Sequence, residues 1–343
     1  MTVKDVSNID VSNIDVSNID EFKFIEIDDN NQIFCKKSLI DYELVKDMLG
    51  LASLVYNFNI DIKAEISENT KKFDLNNLKI DKLSVDIEKR MILNDILSNS
   101  PNAELYKFYD LESGTQAGVT VSHKEKRITF IFRGSNELID WVHDLLICKR
   151  ELPNGTYVHL GFYKSLFSCD LYYKLKNDFI SLTNEYQDYN IYITGHSLGG
   201  GLATLFSYFL SEITEQNLTV ITFASPRVGN KNWADDFNSR SNLRHYRFVN
   251  KRDIVTAIPY IYFKHVGNCI ELNNKELKYC DFNLYKDIQN ILKYFNPFDH
   301  FIENYYTNLL KCKWNKDSCH CKLYDSILKS NIQVELKEDL DKK

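Results

Sequence analysis

Glycine and proline are scarce in this chain, 12 and 5 of 343 residues, so the four glycines crowded into positions 195–201 stand out. Nor is there a basic stripe. The net charge is −6, which argues against nucleic-acid binding and supplies no electrostatic pull toward anionic membranes, so any lipid contact has to be apolar. The stretch Met1-Thr2-Val3-Lys4-Asp5 and the polar residues after it lack the apolar core of a secretory signal, which favours a cytoplasmic location. The eight cysteines, at 35, 148, 169, 269, 280, 312, 319 and 321, are accordingly read as reduced thiols. Cys312, Cys319, His320 and Cys321 invite a zinc reading. Their spacing matches no standard ligand set, adjacent ligands are geometrically awkward, and no metal is expected. A transmembrane segment is also missing. The most hydrophobic long window, 191–210, has about the length of a span, but the glycine cluster interrupts it, so it reads as a buried strand followed by a buried helix.

What the chain does contain is a hydrophobic fraction of 44% with 13% aromatics, enough for a large core. Residues 6–20 are three tandem copies of Val-Ser-Asn-Ile-Asp. A five-residue period fits neither a helix face nor a strand face, so residues 1–20 read as a disordered tail. Residues 21–100 read as a helical and loop extension that packs on the core, with an amphipathic helix over 41–58 and a second over 85–97. From 104 onward strands alternate with helices up to residue 312, and 313–343 form a charged tail. The strands are 104–109, 117–123, 127–132, 191–194, 219–223, 245–249 and one or two within 260–272. The helices are a long one over 162–186, one that begins near 201, and two over 288–294 and 301–310. Such alternation predicts an α/β fold: a mostly parallel central sheet with helices on both faces. Ligands of such sheets lie beyond the carboxyl ends of the strands.

Gly195-His196-Ser197-Leu198-Gly199 follows the strand and opens the helix, a G-x-S-x-G sequence in strand–turn–helix context. A serine on so tight a turn is strained, and side chains two residues to either side would collide with neighbouring backbone. The competing reading is a glycine-rich helix start with an incidental serine. A serine hydroxyl needs an imidazole to take its proton and a carboxylate to fix that imidazole. Downstream, Asp253 follows the 245–249 strand within a turn; it would suit the carboxylate role, or be an ordinary surface aspartate. Of the later histidines, His265 lies in a strand-like run and reads as structural, and His320 sits in the cysteine cluster. His300, set free by the helix-breaking Pro297, is the candidate base. Asp299 reads as a helix cap. For an oxyanion, the Leu198 amide and the Ser135 amide, after the 127–132 strand, are candidate donors. Leu138, Trp141, Val142 and Leu145 share one helical face of the next segment. They fit either a core-facing helix or a short lid over the serine.

Taken with these motifs, the chain resembles the fungal-type, class 3 lipases. The resemblance rests on Phe132-Arg133-Gly134-Ser135, Asp140-Trp141 through Asp144-Leu145, His159-Leu160-Gly161-Phe162, Gly195 to Gly200, Phe223-Ala224-Ser225-Pro226-Arg227-Val228-Gly229-Asn230, Arg247-Phe248-Val249-Asn250, Arg252-Asp253-Ile254-Val255, His265-Val266-Gly267 and Asp299-His300. It implies an α/β-hydrolase fold and acyl-ester hydrolysis without a cofactor. Ser197 would be the nucleophile, Asp253 the orienting carboxylate and His300 the base. Ser135 and Leu198 would donate to the oxyanion, residues 136–146 would form the lid, and His159 and His265 would be structural. The implied partner is a lipid or ester substrate at a membrane or droplet surface. A carboxylesterase of soluble esters, or a non-catalytic binding module on a hydrolase scaffold, are the alternatives.

Overall fold

The computed structural model describes residues 40–57, 103–134, 148–259, 261–272 and 297–311, together with four short strands at 24–27, 33–36, 73–74 and 277–279. The pentapeptide repeat, the helices expected over 85–97 and 288–294, and the cysteine–histidine cluster at 312–321 lie outside the described residues. Met1–Ile40 and Asn315–Lys343 form one compact unit, and Asp41–Trp314 a second. In the first, strands β1 (Phe24–Ile27) and β2 (Ile33–Lys36) pair antiparallel, with Phe24 opposite Lys36.

The second unit opens with α1 (Tyr42–Leu54), started by Asp41, whose carboxylate accepts the Leu44 N–H at 3.0 Å. Strands β3 (Phe73–Asp74), β4 (Glu104–Asp110), β5 (Gln116–Ser122) and β6 (Arg127–Phe132) come after it. Next are β7 (Lys149–Glu151), β8 (Tyr157–His159), α2 (Leu160–Phe167) and α3 (Leu171–Glu185). Then β9 (Asn190–His196), α4 (Leu198–Ser211), β10 (Leu218–Phe223), β11 (Gly229–Asn230), α5 (Lys231–Ser239) and β12 (Leu243–Asn250) succeed one another. The described part closes with β13 (Phe263–Lys264), β14 (Asn268–Leu272), β15 (Leu277–Tyr279) and α6 (Ile302–Lys311).

Nine strands make the main sheet in the order β15-β14-β12-β10-β9-β6-β5-β4-β3. Its central strands β6, β9, β10, β12 and β14 are parallel, and antiparallel pairings finish both edges. The side chains of β9 alternate as the pleat requires. Ile191 and Ile193 join the core formed with Leu202 and Phe206 of α4. Thr194 turns the other way and donates to the Met48 carbonyl of α1 at 3.4 Å. Helices therefore cover both faces, as the alternation predicts. A second sheet, β13-β11-β8-β7, is not foreseen from the sequence because strands of two or three residues carry no periodic signal.

The single long helix expected over 162–186 is two helices. Cys169 and Asp170 take φ values of +47° and +61° and break it between α2 and α3. The left-handed region is tolerated by aspartate better than by most residues, and without a glycine the break leaves little trace in the sequence.

Aromatic packing dominates the α4 face. The Phe206 ring lies 5.4 Å from that of Phe130 and 5.3 Å from that of Phe132, all three buried. Phe206→Ala should lower the unfolding free energy by about 3–5 kcal/mol, read as a reduced midpoint in urea with the slope unchanged.

Candidate active site

Ser197 occupies the single step between β9 and α4, with φ +57° and ψ −127°. Such a conformation costs on the order of 1–3 kcal/mol and persists only where its surroundings impose it. The Ser197 N–H donates to the Phe223 carbonyl of β10 at 3.0 Å. A Cβ on Gly195 would overlap the Gly199 carbonyl, and one on Gly199 would overlap the Phe132 carbonyl of β6. Only glycine allows β6, β9 and α4 to meet this closely around the serine.

Asp253 lies three residues beyond β12, at the start of a 3₁₀ turn over Ile254–Ala257, with no solvent exposure. Its Oδ1 accepts the Val255 N–H at 2.9 Å and its Oδ2 accepts the Tyr305 hydroxyl at 2.7 Å. Burial and the Asp253 charge push the Tyr305 phenol well above its ordinary range, so it stays protonated and donates. The same phenolic oxygen accepts the Asn250 N–H at 3.0 Å.

His300 ends the 3₁₀ turn Pro297–His300, two residues before α6. Its Nδ1 lies 2.9 and 3.0 Å from the two Asp253 oxygens, and its Nε2 lies 2.8 Å from Ser197 Oγ. The structure thus brings together Ser197, Asp253 and His300, which are 1%, 0% and 3% exposed. The turn is anchored on both sides. Asn250 donates its side-chain N–H to the Asp299 carbonyl at 2.8 Å, and the Arg252 guanidinium pairs with the Asp299 carboxylate at 3.0 Å. The Asp299 carboxylate, which reads as a helix cap from the sequence, pairs with the Arg252 guanidinium. His265 was expected inside a strand. It sits between β13 and β14, with Nε2 2.6 Å from the Thr256 carbonyl, and is not among the groups around Ser197.

Leu198 is the first residue of α4, where a backbone N–H has no intrahelical acceptor. Ser135 and the segment carrying Leu138, Trp141, Val142 and Leu145 lie outside the described residues. Sequence reasoning missed Tyr305. A buried tyrosine on a helix face looks like any core aromatic, and nothing short of the fold shows its hydroxyl at a carboxylate. Among the described residues no group of histidine, cysteine and acidic side chains could hold a metal ion, and no helix is long and apolar enough to cross a membrane.

Chemically, the arrangement is a proton path. With Nδ1–H held by Asp253, the lone pair of Nε2 faces the Ser197 hydroxyl, in position to take its proton, and the carboxylate stabilises the imidazolium that results.

Residues 129–263 match the family model described as Lipase (class 3). The chain is 34% identical over 155 residues to a lipase of Rhizomucor miehei, an alignment that covers 42% of this chain and 41% of that one. The likeness to the class 3 lipases is thus carried by the stretch that holds Ser197 and Asp253. The chain is also 30% identical over 166 residues to a secreted mono- and diacylglycerol lipase of Penicillium cyclopium, covering 47% of this chain and 52% of that one. Thus it spans about half or less of these curated relatives' length. A solved triacylglycerol lipase whose catalytic centre is a serine protease triad shares the α/β-hydrolase fold, with a TM-score of 0.60. That match has 22% identity and covers 81% of this chain and 96% of that one.

Two measurements bear on this site. Tyr305→Phe removes one donor to Asp253 and should slow fluorophosphonate labelling of Ser197 about 10-fold, the equivalent of a lost hydrogen bond of ~1.4 kcal/mol. The second concerns pH. Burial, then the neighbouring His300, holds the His196 imidazole well below its ordinary range. Below about pH 6.5 the unfolded chain binds a proton at this histidine that the folded chain refuses. His265, held low likewise by burial of its ring, refuses a second proton, so stability is full above that pH and should fall by about 2.8 kcal/mol for each unit below it, until the folded imidazoles themselves titrate. Urea unfolding at pH 7, 6 and 5 checks the sign and the slope.

Proposed function

We propose that the chain is a serine-dependent hydrolase of lipid carboxylic esters, of the acylglycerol or phospholipid type. The observation that carries this reading is the unbroken run of short contacts from Ser197 Oγ through the His300 ring to the Asp253 carboxylate. The Ser197 oxygen attacks the ester carbonyl as His300 Nε2 takes its proton. The same proton passes to the leaving alcohol, and an acyl-enzyme remains on Ser197. Water, deprotonated by His300, then attacks the acyl carbonyl and releases the fatty acid, restoring the serine. The Leu198 and Ser135 amides receive the charge that develops on the carbonyl oxygen. Every step is proton transfer and addition–elimination, so the reaction runs without a cofactor.

Lipid as the substrate class is supported by the class 3 lipase match over residues 129–263 and by the likeness to lipases, among them a mono- and diacylglycerol lipase. A hydroxyl only 1% exposed also requires something to move before an acyl chain can reach it. We assign that movement to the segment around Leu138, Trp141, Val142 and Leu145, whose apolar face would meet the lipid surface of a membrane or droplet when open.

A hydrolysis screen over triglycerides, phospholipids and short soluble esters tests the reading. Ser197→Ala and His300→Ala should each abolish turnover with the fold retained, and Asp253→Asn should cost about 10⁴-fold, as in serine protease triads. His265→Ala should leave activity in a protein that still folds. A folded wild type that neither turns over esters nor reacts with a fluorophosphonate would make the chain a binding module. Trp141→Gln should lower activity on emulsified triglyceride more than on a short soluble ester; equal losses would assign Trp141 to the core.

A further inference from the structure

Three groups gathered at His196 take no part in the proton path from Ser197 to Asp253. They are Tyr56, just beyond α1, the backbone of Gly134 and His196, the variable residue of the G-x-S-x-G turn. His196 is 4% exposed, and its Nε2 lies 2.8 Å from the His300 carbonyl. A carbonyl can only accept, so Nε2 carries the hydrogen. Buried beside His300, the His196 ring is held neutral, which leaves Nδ1 a bare acceptor. Nδ1 faces the Tyr56 hydroxyl at 2.9 Å, so the hydroxyl donates to it. Burial raises the affinity of Tyr56 for its proton, consistent with a donor that never ionises. The Gly134 backbone packs against the phenolic oxygen. Gly134 sits so close that a Cβ there would overlap the Tyr56 oxygen.

The polarity of every bond is thus fixed. Tyr56 O–H donates to His196 Nδ1, and His196 Nε2–H donates to the carbonyl of His300, with the Gly134 backbone packed on the phenolic oxygen. No member can reverse its role without setting two acceptors or two donors face to face in a buried site. One end of the chain holds the backbone of the residue whose Nε2 faces Ser197. The other end packs against the backbone immediately before Ser135, the residue to which the hydrolase reading gives an oxyanion donor.

We propose that Tyr56 and His196 form a positioning pair. It fixes the His300 backbone, and so the aim of its imidazole at Ser197, and couples that aim to the loop leading into Ser135. The inference rests on the reading of the chain as a serine hydrolase. Both residues act through His300 and Gly134; neither touches substrate.

The test compares the full-length wild type with Tyr56→Phe, His196→Leu, His196→Gln and the double variant Tyr56→Phe/His196→Leu. Reactive serine is titrated first with a fluorophosphonate, so that kcat on a short soluble ester is expressed per competent site and loss of folded protein does not count. Positioning predicts that Tyr56→Phe and His196→Leu each lower kcat by about 10- to 100-fold with KM within about twofold, the range of one or two lost hydrogen bonds. His196→Gln, which keeps an N–H able to reach the His300 carbonyl, should recover most of the loss seen with leucine. Because the two side chains lie on one bond chain, the double variant should be no slower than the slower single variant. A kcat per titrated site within about twofold of wild type for Tyr56→Phe overturns the proposal, whether or not the melting temperature falls. So do losses that multiply in the double variant. Should His196→Leu fail to fold, Tyr56→Phe and His196→Gln decide alone: positioning demands a loss in the first and a smaller one in the second. A folded wild type that gives no fluorophosphonate adduct defeats the hydrolase reading itself, an outcome distinct from any of these.

Discussion

A carboxylate without solvent contact has to be surrounded by donors, and most of the site derives from meeting that demand at Asp253. Leaving such a charge unsatisfied in a protein interior costs several kcal/mol. Three donors meet it: the Val255 N–H, the Tyr305 hydroxyl and the His300 Nδ1–H. Each comes from a different local structure, namely the 3₁₀ turn after β12, helix α6 and the turn that precedes α6. Placing all three fixes how the C-terminal part of the described chain lies against the end of the sheet. The His300 ring, held at one nitrogen by this demand, has its other nitrogen free to face Ser197.

The sheet supplies the second half of the geometry. β6, β9, β10 and β12 run parallel, so the segments leaving their carboxyl ends emerge at one rim. Gly134 comes after β6, Ser197 after β9 and Asp253 after β12. Residues far apart in the chain reach one rim because the strands that precede them lie close together in the sheet. The strained conformation at Ser197 is tolerated because the turn is pinned from β10 through Phe223 and leaves room only for glycine on either side.

How much of this could be read from residues alone depended on whether a residue's job had a local signature. The serine turn did, because two glycines around one serine between a strand and a helix answer a specific steric problem. Asp253 and His300 were legible by position, the first just past a strand and the second just past a proline. Tyr305, Tyr56 and His196 were not. Two are aromatics that any helix face could bury, and the third occupies a motif position open to many residue types. Their roles exist only through hydroxyl and ring-nitrogen contacts made across the fold. The break between α2 and α3 was hidden for a related reason: Cys169 and Asp170 adopt left-handed backbone without the glycine that usually announces it. The four short strands of the second sheet are pieces too small for alternation to register.

The Arg252–Asp299 pair differs from its surroundings. The arginine side chain is 52% exposed, whereas His300, next to its partner, is 3% exposed. Exposed pairs of this kind contribute at most about 1 kcal/mol and weaken as dissolved ions screen them. Ionic strength therefore has a handle on the stiffness of the turn that carries His300, although it has none on the sealed contacts inside. The protein's surroundings reach a buried histidine through a tether on the outside.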